Sequence, residues 1–102
     1  MVWRSGARLM VMSAIQKQTA ISAADELERV LQSISPDPRR DKALYHLDRL
    51  RSAVAASHQE AVRFAAFTIS KTIHDASGDW GSAAGESMTA LREALHAAGH
   101  EF

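Results

Sequence analysis

Ala53-Val54-Ala55-Ala56-Ser57-His58-Gln59-Glu60-Ala61-Val62 is the stretch on which the fold turns. It lies inside a run, from Pro38 to Gly78, whose interior holds neither glycine nor proline and is rich in the strong helix formers Ala, Leu, Arg and Glu. Two readings compete at its centre. Ser57 and Glu60 have the spacing of a capping box, which would start a new helix and fold the chain into a hairpin. Against this, Ala55-Ala56-Ser57-His58 offers no residue that favours a left-handed turn, and no loop-length insertion separates the flanking helical patterns. The pattern therefore predicts one long central helix, continuous or kinked near Ser57, of roughly 55–60 Å at 1.5 Å per residue. The hairpin is the alternative.

On the amino-terminal side of this stretch, Leu44, Leu47, Leu50 and Val54 recur at helical spacing. Asp37 followed by Pro38 is a start signal for that helix: a capping carboxylate, then a proline where its missing N–H costs nothing. On the other side, residues 61–73 are apolar around most of the circumference, with Val62, Phe64, Ala65, Ala66, Phe67, Ile69 and Ile73. Such a helix belongs at the centre of a bundle or in a subunit interface.

Further out, Ser22 with Asp25 reads as a capping pair that starts a helix over 22–34, with Ala24, Leu27, Val30, Leu31 and Ile34 on one face. Residues 13–21 could extend it backward. Ser35-Pro36-Asp37-Pro38 ends it, because a residue before proline is pushed out of helical geometry. Gly78-Asp79-Trp80-Gly81 reads as a turn. A last helix over 83–98 carries Met88, Leu91, Ala94, Leu95 and Ala98 on one face and stops at Gly99. The expected fold is an all-α bundle of three or four helices. Because the two short outer helices can cover only part of the apolar central element, a homodimer is the expected assembly.

The 102 residues suit one domain, read as 13–102, with residues 1–12 as an ill-ordered extension for which Met10 or Met12 is an alternative initiator. Trp3, Arg4 and Arg8 before Leu9-Met10-Val11-Met12 faintly imitate a signal peptide, but Gln16-Lys17-Gln18 follows without a cleavage site. Nothing approaches the ~20 apolar residues of a membrane span. The absence of cysteine excludes thiolate chemistry and Cys-type zinc sites, and suits the cytoplasm. Twelve Lys and Arg balance twelve Asp and Glu, so no global field draws the chain to nucleic acid or anionic lipid.

No set of residues names a reaction. Gly78, Gly81 and Gly85 lack the lysine and the preceding strand of a phosphate loop, and His74 with Asp75 and Asp79 lacks a nucleophile and an oxyanion site. His96 and His100 are four apart but have no third ligand at diagnostic spacing, so no metal and no cofactor is expected. The chain reads as a non-catalytic interaction or regulatory module with itself as first partner. Candidate contact residues are Phe67, which falls on the polar strip Glu60, Arg63, Ser70, Lys71 and His74, together with Arg63, His58, Arg51 and Trp80. Phe67 could equally be covered by helix 83–98 or by Trp80. A weaker alternative is nucleic-acid binding by Arg39, Arg40, Lys42 and Arg49, in a segment 39–51 of net charge +3. A small metal- or ligand-binding bundle using His58 or His96 and His100 is the third class.

Overall fold

The computed structural model describes the backbone of residues 2–100 and the side chains of residues 14–100. The expectation of an ill-ordered extension over 1–12 falls on residues whose side chains lie outside that set. Among the described residues all regular structure is helical: α1 (Val2–Gln32), α2 (Pro38–Ala55), α3 (Gln59–Asp75), the single turn α4 (Ser77–Trp80) and α5 (Ala83–Ala97). No helix among them is long and apolar enough to cross a membrane.

The long central helix does not form. α2 ends at Ala55, α3 begins at Gln59, and the two helices fold back along each other. Ser57 adopts the left-handed conformation, φ 56°, despite carrying a side chain. Around it the His58 amide donates to the Ala53 carbonyl at 2.9 Å and the Ser57 amide to the Val54 carbonyl at 3.0 Å. These are the two bonds of a Schellman motif, which satisfies carbonyls the helix end would leave open. His58 then caps α3, its Nδ1 accepting from the Ala61 amide at 3.3 Å.

The reason lies in burial. A side chain in the left-handed region costs roughly 1–2 kcal/mol. Folding back buries Leu47, Leu50 and Val54 of α2 in one core with Val62 and Ile69 of α3, and a buried side chain of this size contributes ~1.5–3 kcal/mol. The packing gain exceeds the turn's strain several times over. Ser57→Gly should relieve that strain. It is expected to raise stability by roughly 0.5–1 kcal/mol, after the greater freedom of glycine in the unfolded chain is subtracted, read as an increased midpoint in thermal or urea unfolding.

α1 corrects a second boundary. Ser22 is an exposed interior position of α1, not its cap. Ala20 is buried in line with Ala24, Leu27 and Leu31, so the residues before Ser22 extend the same apolar stripe and the helix runs through. α1 packs against both α2 and α5. α2 starts as the sequence indicates, with Pro38 in its first turn and Asp37 accepting from the Arg39 amide at 2.7 Å. α5 buries Ala84, Met88, Leu91 and Leu95, and it closes with a second Schellman pair at Gly99, φ 96°. There the His100 amide donates to Leu95 at 3.0 Å and the Gly99 amide to His96 at 3.0 Å. The four longer helices thus enclose one core, with Ala43, Ala53, Ala65 and Ala66 among its small members where α2 and α3 meet.

Candidate interaction surface

α3 is buried on one side only. Val62, Ala65, Ala66, Ile69, Thr72 and Ile73 face the core. Phe64 and Phe67 face outward, 64% and 66% exposed, and Tyr45 on α2 is 58% exposed. Of the two readings of Phe67, exposed contact residue or ring covered by helix 83–98 or Trp80, the structure has the ring exposed. Phe64 and Phe67 together leave part of the apolar circumference of residues 61–73 uncovered by the described chain.

These rings form a connected strip across α2 and α3. Tyr45 meets the His46 ring edge-on at 5.2 Å between centroids, and His46 meets Phe64 edge-on at 6.0 Å. Such offset geometry suits the positive edge of one ring to the negative face of the next. Arg49 lies over Tyr45 at 5.7 Å, adding a cation to the strip's margin. Phe67 continues it one turn along α3 from Phe64. Beside Phe64, a shallow open hollow of about 470 Å³ is bordered by His46, Arg49, Ser52, His58 and Ala61.

The other sequence candidates are dispersed. Arg63 and His58 are exposed on α3 and at its cap. Arg51 is held inside the chain, donating to Glu28 at 2.7 Å and Asp25 at 3.3 Å on α1. It ties α2 to α1 and does not join the aromatic strip. Trp80 is half-buried against the core under Arg39, whose guanidinium stands 5.7 Å from the ring centroid.

Of the basic segment, Arg39 is engaged by Asp37 at 2.7 Å and Asp79 at 2.9 Å, and Arg40 donates to the Ile34 carbonyl at 3.0 Å. Lys42 is exposed, and Arg49, also exposed, donates to the Tyr45 hydroxyl at 3.3 Å. Two of the four proposed phosphate contacts are thereby used to close the corner between α1, α2 and α4. Arg39, through its guanidinium and then its backbone amide, holds the Asp37 carboxyl down to about 2.

Of the pair His96 and His100, His100 is engaged within the chain. After the left-handed Gly99, the buried His100 ring turns to Gln59 at the start of α3, Nδ1 to Oε1 2.7 Å. No group of three or more metal-ligating side chains occurs among the described residues.

Burial, and then the Lys17 charge, push the His100 pKa below its ordinary value of 6.5. Burial, and then Lys42 and Arg49, do the same for His46. A histidine whose folded pKa is depressed binds fewer protons folded than unfolded. Its stabilising contribution is complete above about pH 6.5 and declines as pH falls through that value toward the folded pKa. Urea midpoints should therefore drop between about pH 7.5 and about pH 5.5. His100→Gln should flatten that slope.

Tyr45 and Phe64 escaped the sequence reading. The signal for Phe64 was its place, with Phe67, on the exposed 60-64-67-71 line of α3. Tyr45 had no comparable signal, because its exposure depends on how α3 lies across α2. Compared with known proteins, the chain matches no family model, no curated protein and no solved structure.

Proposed function

We propose that this chain is a non-catalytic helical-bundle module that works by binding protein, with a second copy of itself as the first partner. The observation behind this reading is the strip of Tyr45, Phe64 and Phe67, each more than half exposed; the other large hydrophobic exposed to this degree among the described residues is Ile15 on α1. Aromatic side chains with arginine beside them are the groups that most often anchor protein contacts. Exposed rings clustered in this way are costly in water and gain when covered. The reading places the module in the cytoplasm, consistent with its lack of cysteine.

Analytical ultracentrifugation over a concentration series tests it. The mass should rise from the monomer's 11.1 kDa toward twice that value as concentration increases. A constant monomer mass would overturn self-association.

A further inference from the structure

The exposed line of α3 runs Glu60, Phe64, Phe67, Lys71, with steps of four, three and four residues. Those steps keep all four side chains on one face of a helix. The line reads as acid, ring, ring, base, and its two halves are chemically opposite at the ends and alike in the middle. Its midpoint lies between Ala65 and Ala66 for the charged pair and for the aromatic pair alike. Neither Glu60 nor Lys71 has an ion-pair partner within the chain among the described residues.

We propose that α3 pairs antiparallel with α3 of a second copy about a twofold axis through that midpoint. This rests on the self-association reading above and fixes its geometry. In this register Glu60 of one copy faces Lys71 of the other, and Phe64 faces Phe67, with every contact made twice. A twofold interface must be complementary to itself, and a line whose ends carry opposite charge meets that condition only when the helices run antiparallel. The parallel arrangement sets Glu60 against Glu60, Arg63 against Arg63 and Lys71 against Lys71. It is excluded by like-charge repulsion on all three levels. In the antiparallel register Arg63 faces Thr68, so no like charges meet. Glu60 to Lys71 spans about 16 Å at 1.5 Å per residue, enough for two aromatic layers closed at each end by an ion pair.

Charge exchange tests the register. Glu60→Lys alone sets Lys against Lys71 at both ends, and Lys71→Glu alone sets Glu against Glu60. Each single variant should dissociate more readily, by roughly tenfold or more, since both symmetry-related pairs change from attraction to repulsion. The double variant, Glu60→Lys with Lys71→Glu, should pair as the unaltered chain does. An equimolar mixture of the two single variants should form a heterodimer, because every facing pair is then opposite in sign. Circular dichroism of each variant confirms that α3 is intact, and the double variant carries any helix-end penalty of both singles, so its recovery cannot come from restored folding.

A dimer insensitive to the single charge changes would overturn this register and leave self-association standing. A double variant that stays dissociated would also overturn the register. A monomeric unaltered chain would overturn both.

Discussion

Replacing Phe64 and Phe67 together by serine is expected to leave the chain folded and to abolish its pairing. Both rings are about two-thirds exposed in the single chain, so the fold loses little when they go. Serine and phenylalanine have similar helix propensities, so α3 itself is hardly affected. The edge contact of Phe64 with His46 is the one intramolecular ring interaction removed. In the proposed pair, by contrast, four rings are covered. Burying a phenylalanine contributes about 2 kcal/mol, and even half of that for each ring comes to roughly 4 kcal/mol, or about a thousandfold in the dissociation constant. The expected outcome is an unfolding midpoint within a few degrees of the unaltered chain at low concentration, with sedimentation at monomer mass throughout. Loss of helical signal instead would mean that the rings are part of the core.

Ile69→Ala should do the reverse. Ile69 lies two residues beyond Phe67 on α3 but is fully buried among the side chains that α2, α3 and α5 share. Truncating a buried isoleucine removes its transfer free energy and leaves a cavity, costing about 2–5 kcal/mol. For a domain whose whole stability is on the order of 5–15 kcal/mol, that is a large fraction. Urea unfolding at low protein concentration should show the midpoint fall accordingly. A change below about 1 kcal/mol would mean that residue 69 is not in a close-packed interior. Phe67 and Ile69 thus separate the two faces of one helix: one is exposed and is the face proposed for association, and the other is buried in the core.

The sequence disclosed the helical faces well and their connection badly. Leu47, Leu50, Met88, Leu91 and Leu95 declared themselves by spacing alone and are all in the core. Asp37-Pro38 and Gly99 marked helix ends because their chemistry is local: a carboxylate that reaches an amide, a proline without a donor, a glycine free to take positive φ. Ser57 was ambiguous because nothing local requires its left-handed conformation, and the gain comes from α2 and α3 covering each other. The usable hint was the polar run Ser57-His58-Gln59-Glu60, which interrupts the buried positions between Val54 and Val62. Ser22 misled for the opposite reason. Its capping-box spacing is equally compatible with two exposed positions on one helix, and Ala20 is too small to announce itself as core.

The candidate surface was legible in part. Phe67 stood out as an aromatic residue on a polar strip. Phe64 was hidden among its apolar neighbours, and Arg51 and Trp80 looked available because their partners, Asp25 and Glu28 for one and Arg39 for the other, are brought to them only by the tertiary fold.

Sedimentation equilibrium of the unaltered chain across a wide concentration range tests the self-association most directly. The expected result is a reversible monomer–dimer curve starting from 11.1 kDa and saturating at two copies. A single species of monomer mass at every concentration, with α3 helical, would contradict it.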